Sequence, residues 1–388
     1  MTPAARVQAA IEILDSVIAS ARDDGPPADG LVTTYFKARR YAGSKDRRAV
    51  RELVYRAIRA AAETPASGRA AMLALGDDEV EALFDGSAHG PAPIADGEAR
   101  AMPGLLPGWI EPELSPLIGR DEWPALLERA PLDLRVNAAR GERETLAREL
   151  DAAPTRLSPW GLRLPPDRRI DQEPAYLDGR IEVQDEGSQL IALACAPADG
   201  QTILDLCAGA GGKALALAAA APGATIVASD TNRARLSKLA PRATRAGAAI
   251  ETLLLDGGRE ARQLADHEGR FDTVLVDAPC SGSGTWRRNP EGRWRLTPDR
   301  LAKLVELQRH VLDLAAPLVK PGGALVYATC SILAREGAGQ ADEFLGRHSA
   351  WQAQDALAVG RVDGPGRLLT PGHDGTDGFF VARFVSPC

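Results

Sequence analysis

The sequence lacks the features that mark membrane, secreted and fibrous proteins. No apolar run approaches the roughly 18 to 20 residues that a membrane-spanning helix needs. The N-terminus also lacks the basic-then-apolar order of a secretory signal. The 388 residues are 45% hydrophobic and 26% charged, as in ordinary globular proteins. We therefore expect a folded, cytoplasmic protein of two or three domains.

Cysteine and lysine are both scarce. The five cysteines are odd in number and scattered, and the chain has neither a CxxC pair nor a histidine cluster. Free thiols are therefore expected rather than a disulfide framework, and no metal site is expected. The net charge of −7 argues against a general polycation, but it does not exclude a local basic patch that binds nucleic acid.

The chain divides into three stretches by its sequence texture. Residues 5–90 have helical spacing of apolar residues, and a stretch rich in glycine and proline follows at 86–109. We predict a helical domain over residues 1–120, a small α+β region over 121–182 and a catalytic domain over 183–388. A strand is expected at Leu132–Val136 in the middle region.

The last stretch alternates short apolar runs with helical segments. Such alternation predicts an α/β domain with a parallel sheet covered by helices on both faces. FFVARF at 379–384 reads as a late, antiparallel strand. The predicted strands are TILDLC (202–207), TIVASD (225–230), IETLLLD (250–256), FDTVLVD (271–277) and GALVYATC (323–330), and the predicted helices are 213–221, 233–246 and 298–316.

The first of these strands runs into the glycine-rich turn DLCAGAGGK (205–213). Ligands of such sheets lie beyond the carboxyl ends of the strands, where glycines let the backbone approach them. Carboxylates also close the next three strands, at Asp230, Asp256 and Asp277. They could simply cap the following helices. The predicted cofactor-binding residues of the turn are Cys207, Ala208, Gly209, Ala210, Gly211, Gly212 and Lys213.

Two ligand classes fit a glycine turn followed by acidic strand ends. A dinucleotide would require the GxGxxG pattern, whereas this turn reads GxGG. A ribose-binding Asp230 and a further carboxylate near the base fit S-adenosylmethionine better. Arg235, five residues beyond Asp230, is a candidate to hold that carboxylate or the cofactor.

Two cysteines follow adjacent predicted strands. Cys280 lies in DAPCSGSG and Cys330 in YATCS, both in polar turns beside the expected ligand site. A lone cysteine is most often a small buried hydrophobe, which suits Cys195 in its apolar helix and Cys388 at the terminus. That interpretation suits Cys280 and Cys330 poorly, and we therefore predict that they are functional.

Arginines mark three candidate RNA-binding segments, although each could also be a solvated surface. Aromatic and basic residues alternate after the Cys280 motif, a pattern that suits base stacking and phosphate contact. Lys37–Arg59 carries nine basic and two acidic residues. LRVNAAR (134–140) is the third. The predicted RNA-binding residues are Trp286, Arg287, Arg288, Arg293, Trp294, Arg39, Arg40, Lys45, Arg47 and Arg48.

The motifs DLCAGAGGK, VDAPCSGSGTWRRNP and YATCSILAREG resemble the signatures of the Nol/Nop/Sun family of RNA cytosine-5 methyltransferases. The resemblance spans at least Val183 to Phe384, and the helical N-terminus resembles the NusB-like extension of its bacterial ribosomal RNA subgroup. The implied fold is α/β, with a Rossmann-like S-adenosylmethionine methyltransferase sheet at the C-terminus and an all-helical NusB-like domain at the N-terminus. Two departures stand out: Ala210 replaces a proline of the turn, and Arg335, Glu336 and Gly337 replace an acidic–asparagine run.

The resemblance also implies roles for individual residues. Cys330 would attack carbon 6 of cytosine as a thiolate, and Cys280 would assist its later release. Asp277 would face the pyrimidine edge, and Lys213 would lie in the active cleft. The implied substrate is RNA, most plausibly 16S ribosomal RNA, bound by a monomer without metal or membrane.

The sequence also allows other functions. A tRNA substrate would use the same chemistry, and a catalytically idle RNA-binding or assembly factor would keep the fold. A DNA cytosine methyltransferase fits less well, because its nucleophile follows the proline of a PC motif and needs no TC partner. A NAD-dependent dehydrogenase would need the full glycine fingerprint.

Overall fold

A computed structural model describes residues 1–23 and 25–388. These residues form two compact units. The first, here called the helical unit, comprises Met1–Glu113, Trp123–Glu128 and Thr285–Arg300. The second, here called the sheet unit, comprises Leu114–Glu122, Arg129–Gly284 and Leu301–Cys388.

Between residues 202 and 329, strands and helices alternate as the sequence predicts. The α-helices are α1 (Pro3–Arg22), α2 (Ala28–Ala38), α3 (Ser44–Ala60), α4 (Gly68–Leu73), α5 (Asp78–Glu81), α6 (Arg143–Leu150), α7 (Pro174–Leu177), α8 (Glu186–Ala194), α9 (Gly212–Ala220), α10 (Arg233–Leu236), α11 (Leu239–Ala246), α12 (Glu260–Leu264), α13 (Gly292–Arg295), α14 (Pro298–Ala315) and α15 (Ala338–Arg347). The strands are β1 (Leu132–Val136), β2 (Ala153–Pro154), β3 (Gly161–Leu164), β4 (Ile181–Val183), β5 (Thr202–Asp205), β6 (Thr225–Asp230), β7 (Glu251–Leu254), β8 (Phe271–Asp277), β9 (Val319–Thr329), β10 (Gln352–Gln354), β11 (Arg361–Asp363), β12 (Gly366–Leu369) and β13 (Phe379–Val385).

The helical unit forms its core from the apolar faces of α1 and α3. On α1 the side chain of Thr2 caps the helix by accepting a hydrogen bond from the amide of Ala5. The α1 residues Val7 and Leu14 and the α3 residues Val54 and Ile58 are all buried in one cluster. The predicted helical texture of the N-terminal region is thereby confirmed, because each apolar stripe faces the same core.

The large sheet of the sheet unit has the strand order β11-β12-β13-β9-β8-β5-β6-β7, with β10 paired to β13. Strands β5 to β9 pair in parallel, and β13 pairs antiparallel with β9. The predicted α/β sheet and its late antiparallel strand are thus confirmed. One predicted helix differs, because 233–246 is divided into α10 and α11.

A smaller antiparallel sheet of order β2-β3-β1-β4 lies in the same unit, and the predicted strand at Leu132–Val136 is its β1. The compact units therefore differ from the three predicted segments in three respects. Residues 114–120 belong to the sheet unit although they lie within the predicted helical domain. Most of 121–182 belongs to the sheet unit, and Thr285–Arg300 belongs to the helical unit although its sequence lies within 183–388.

None of the helices described over residues 1–23 and 25–388 is both long and apolar enough to cross a membrane.

Candidate active site

The two predicted cysteines meet at the carboxyl ends of β8 and β9. These strands pair in parallel, with Asp277 of β8 opposite Ala328 of β9. Cys280 follows the first strand and Cys330 the second, and their Sγ atoms lie 3.3 Å apart. The hydrogen bond between the thiols, reinforced by burial, raises the pKa of Cys280 well above its ordinary value. Cys280 is therefore a thiol that can donate a hydrogen bond to Cys330.

An ion pair between a buried lysine and a partly exposed aspartate lies at the same edge of the sheet. Lys213, in the first turn of α9, donates from Nζ to Oδ2 of Asp277 over 2.7 Å. Burial opposes the charge on Lys213, but the adjacent Asp277 outweighs burial and raises the pKa of the lysine above its ordinary value. Negative charge on Cys330 also favours the ammonium form. A cation is therefore held where it stabilises a thiolate at Cys330.

The glycine turn connects β5 to α9 and needs two glycines for its shape. Gly209 and Gly211 have φ angles of +57° and +80°, in the left-handed region that disfavours side chains. A Cβ on Gly211 would also collide with the side chain of Leu239. The amide of Gly209 donates to Oδ2 of Asp230 over 2.8 Å, which fixes the turn to the end of β6.

Two arginines hold the carbonyl groups of this turn. The sequence did not point to Arg242, and it included Arg135 only in the candidate RNA-binding segment LRVNAAR (134–140), whereas Arg135 is 1% exposed. Arg242 donates from Nη1 to the carbonyl of Ala210 over 2.6 Å and from Nη2 to Glu182 over 3.0 Å. Arg135 donates from Nη1 to the carbonyl of Gly212 over 3.1 Å. Both come from distant parts of the chain, so no local spacing could have pointed to them.

Asp205, the last residue of β5, is a buried carboxylate beneath the turn. Its side-chain oxygens make no hydrogen bond of good geometry with a described residue, although the amide of Ala214 slightly favours the charged form. Burial, together with the nearby charge of Asp277, raises its pKa to about 7. Its position at the end of the first strand, directly before the glycine turn, was a signal that could have singled it out.

The other predicted cofactor residues lie around the turn. Ala208 donates its amide to the carbonyl of Ser229 over 2.8 Å. A Cβ on Gly209 would collide with the guanidinium of Arg235, so this exposed arginine packs over the turn. Burial raises the pKa of Cys207 far above its ordinary value. Asp256 is exposed just beyond the end of β7.

Residues 192–385 match the family described as 16S rRNA methyltransferase RsmB/F. This match covers half of the chain. The chain belongs to that family.

Known proteins resemble this chain in sequence and in fold. Ribosomal RNA small subunit methyltransferase B of Salmonella arizonae is 36% identical over 291 residues, which are 72% of this chain and 66% of that protein. The chain thus matches just under two thirds of that relative's length. The crystal structure of PH0851 has a TM-score of 0.76 at 23% identity and covers 99% of both chains. NSun6 from Pyrococcus horikoshii, solved with SFG, has a TM-score of 0.60 at 20% identity over 70% of this chain and 95% of that one.

In this RsmB/F family member, the prediction that the aromatic and basic residues after the Cys280 motif form a base-stacking surface is wrong. Trp286 and Trp294 are 1% and 5% exposed, so neither presents a ring to a base. Arg293 is 1% exposed and donates to the carbonyl groups of Ile58, Leu105 and Pro290. Trp294 donates from Nε1 to the carbonyl of Ala61 over 3.2 Å, so the alternation reflects packing inside the helical unit.

The neighbouring arginines of that segment also fail to form an open surface. Arg287 is buried and Arg288 is half-buried. Arg295 donates to the carbonyl groups of Gly25 and Pro26 over 2.8 Å each, which ties this segment to the N-terminal helices of the same unit.

The N-terminal basic residues remain accessible in the RsmB/F chain. Arg39 is the exception, because it stacks 3.7 Å from the ring centroid of Tyr35 and donates to Glu12 over 3.1 Å. The exposed members of the basic set are Arg40, Lys45, Arg47 and Arg48.

Among residues 1–23 and 25–388 no group of three or more His, Cys, Asp or Glu side chains could hold a metal ion.

Proposed function

We propose that this chain uses S-adenosylmethionine to methylate carbon 5 of cytosine in RNA, with small-subunit ribosomal RNA as the substrate. The observation that carries the proposal is the cysteine pair, whose Sγ atoms lie 3.3 Å apart beside the Lys213–Asp277 ion pair. Family membership supports a methyl-transfer reaction. The curated relatives carry the name ribosomal RNA small subunit methyltransferase B, which supports the choice of RNA.

The residues around the glycine turn fit an adenosyl cofactor. Gly209 and Gly211 leave the turn without side chains where a ligand must approach the backbone. Asp230 closes β6 as an acceptor for hydroxyl groups, and Asp205 has unpartnered buried oxygens. The related P. horikoshii structure holds SFG, an analogue of S-adenosylmethionine. When bound, the cofactor supplies an electrophilic methyl group on a sulfonium.

Carbon 5 of cytosine is too electron-poor to attack that methyl group unaided. The Cys330 thiolate adds to carbon 6, and the resulting enamine has a nucleophilic carbon 5. Lys213 stabilises the thiolate through its positive charge, while Asp277 hydrogen-bonds the pyrimidine edge. After transfer a base accepts the proton from carbon 5, the electron pair of that C–H bond restores the double bond between carbons 5 and 6, and Cys330 leaves carbon 6 as a thiolate. Cys280 assists this release.

The RNA must present an unstacked cytosine to reach the cysteine pair. Phosphate contacts are assigned to Arg40, Lys45, Arg47 and Arg48, because all four are exposed basic residues, although Arg47 also donates from Nε to the carbonyl of Ala42 over 2.8 Å. The helical unit is proposed to be NusB-like. We expect the protein to act as a cytoplasmic monomer.

A transfer assay tests this function. The protein is incubated with methyl-labelled S-adenosylmethionine in three separate reactions, which contain 16S ribosomal RNA, small ribosomal subunits or tRNA. All three substrates come from a strain that lacks the corresponding modification. Label recovered as 5-methylcytosine in ribosomal RNA is the expected result. Label confined to tRNA would replace the substrate, and bound cofactor without transfer to any RNA would indicate an idle homologue.

A further inference from the structure

A buried carboxylate lies behind the cysteine pair. Glu336, in the one-turn helix Ala334–Glu336 after β9, is fully buried. Its Oε1 accepts hydrogen bonds from the amide of Ser281 over 2.8 Å and from Nε2 of Gln308 over 2.9 Å. Its Oε2 accepts from the hydroxyl groups of Ser281 and Ser331, the latter over 2.6 Å. Both oxygens of a buried charge thus have two donors each.

Three of these four donors come from the two loops that carry the cysteines. Ser281 directly follows Cys280, and Ser331 directly follows Cys330. Other hydrogen bonds join the same loops: the hydroxyl group of Ser331 lies 3.4 Å from that of Ser281 and 2.9 Å from that of Ser283, the amide of Ile332 donates to Oγ of Ser283 over 3.0 Å, and the amide of Gly284 donates to the carbonyl of Cys330 over 3.0 Å. Glu336 therefore joins the loop after β8 to the loop after β9 through one side chain.

A third element completes the connection. Gln308 of α14 donates from Nε2 to Glu336 and also to the carbonyl of Pro279, each over 2.9 Å. The residue preceding Cys280 is therefore held from the helix side, while Glu336 holds the residue following it. A loop fixed on both sides of its reactive thiol has little freedom to change the separation of the sulfur atoms.

The chemistry explains why a charged group is used. All four donors are uncharged, and hydrogen bonds to a carboxylate are stronger than those between neutral groups. In a buried site they are also strengthened by the low dielectric. The negative charge of Glu336 adds to the effects of Cys330 and of burial that raise the pKa of Cys280. The same carboxylate thus orients the loops and favours the protonated form of Cys280.

We propose that Glu336 is a positioning residue for the cysteine pair, because its carboxylate fixes the two cysteine loops against each other. The proposal rests on the proposed function, in which both thiols act on one cytosine. Glu336 touches neither thiol in this role. Its backbone carbonyl separately accepts from the hydroxyl of Tyr327 over 2.7 Å, a contact that side-chain substitution leaves intact.

The test compares four variants with the unmodified protein in single-turnover methyl transfer to ribosomal RNA. Glu336→Ala removes the connection, whereas Glu336→Gln can still accept from the amide of Ser281 and donate to the two hydroxyl groups. Ser331→Ala removes one donor. Glu186→Gln is the matched control, because Glu186 is equally buried and accepts from the amide of Ser158 over 2.8 Å.

Glu336→Ala should slow transfer about 100-fold, the loss expected when reacting groups shift by about 1 Å. Cofactor affinity should stay within about threefold, because the glycine turn is untouched. Glu336→Gln should recover most of the rate, Ser331→Ala should slow transfer several-fold, and Glu186→Gln should react like the unmodified protein.

The adduct-forming step gives the second readout. In a Cys280→Ala background, Glu336→Ala should slow the appearance of the covalent protein–RNA complex to the same degree. A rate for Glu336→Ala within threefold of that of the unmodified protein, or a loss in Glu186→Gln as large as the loss in Glu336→Ala, would overturn the proposal. If Glu336→Ala does not fold, an unchanged rate in both Ser331→Ala and Glu336→Gln would overturn it. Failure of the unmodified protein to transfer methyl would instead count against the proposed function.

Discussion

Two buried carboxylates of the sheet unit have opposite surroundings. Glu336 lies on the cysteine side of the site, formed by the loops after β8 and β9, and has four uncharged donors. Asp205 lies on the glycine side, formed by the turn between β5 and α9, and its oxygens lack well-formed hydrogen bonds to described residues. The cysteine side is thus assembled within the protein, whereas the glycine side keeps acceptor capacity of the kind a ligand can use.

The same contrast appears in what holds each side. On the glycine side, Arg135 and Arg242 donate to backbone carbonyl groups from outside the turn. Arg242 holds the carbonyl of Ala210, the position at which the resembling family has a proline. A guanidinium clamp on this residue limits the turn by hydrogen bonding where proline would limit it covalently. The loss of the proline therefore need not loosen the turn.

The largest effect is expected on the cysteine side. Cys330→Ala removes the proposed nucleophile, so methyl transfer should fall below detection while cofactor affinity stays within about threefold, measured by calorimetry. Cys388→Ala, which removes the exposed terminal thiol, is the control and should keep full activity. Substantial methyl transfer by Cys330→Ala would show that Cys330 is not the nucleophile.

The glycine side should respond to loss of its clamp. Arg242→Ala removes a charged donor to the Ala210 carbonyl, worth roughly 1.5–3 kcal/mol, and should weaken cofactor binding by about tenfold or more. Arg245→Ala is the matched control, because Arg245 also pairs with Glu182 yet donates to no carbonyl of the turn. Equal dissociation constants for the two variants would show that Arg242 does not support the turn.

Substitutions of Gly209 and Gly211 distinguish the strain of a positive φ angle from the effect of a side-chain clash in the same turn. Both Gly209→Ala and Gly211→Ala place a side chain in the left-handed region, at a cost of roughly 1 kcal/mol. Gly211→Ala must also displace the buried Leu239, whereas Gly209→Ala meets only the flexible end of Arg235. Cofactor affinity should therefore fall several-fold in Gly209→Ala and further in Gly211→Ala. The reverse order would contradict the described turn.

The smallest effect concerns stability and pH. Asp205 has its pKa raised to about 7 in the folded protein, whereas an unfolded aspartate ionises near pH 4. The folded state thus holds the proton more tightly, so its contribution to stability is complete below about pH 4 and is lost as the pH rises through about 7. Asp205→Asn should therefore show a smaller decrease in melting temperature from pH 5 to pH 8.

The exposed Asp266→Asn is the control for that measurement and should follow the unmodified protein. Identical pH dependence in all three proteins would mean that Asp205 is ionised in the folded state throughout this range.

Sequence patterns predicted the sheet well, because the period and spacing of apolar runs directly reflect burial. They also predicted the meeting of Cys280 and Cys330, since the carboxyl ends of parallel neighbours share one edge. They failed for Trp286, Arg293 and Trp294, where alternating aromatic and basic residues describe a buried segment as well as an RNA surface. The difference depends on acceptors such as the Ile58 carbonyl, which lies 235 positions away from Arg293.

The supports of the site were the least predictable part. Arg242 and Glu182 are 60 positions apart, so the pairing that holds Arg242 beside the turn depends on tertiary packing alone. Glu336 was visible only as one member of a run that departs from the usual acidic–asparagine pattern. Its role depends on two serines that each follow a cysteine, an arrangement that becomes meaningful only once β8 and β9 are neighbours.

Trapping the reaction on the protein tests the proposed mechanism most directly. Cys280→Ala is incubated with S-adenosylmethionine and unmodified 16S ribosomal RNA, and protein–RNA complexes that survive denaturation are measured. We predict that Cys280→Ala accumulates a complex in which the Cys330 peptide is bound to a cytosine, and that Cys280→Ala with Cys330→Ala forms none. A complex of equal yield in the double variant, or one attached through another residue, would contradict the proposed mechanism.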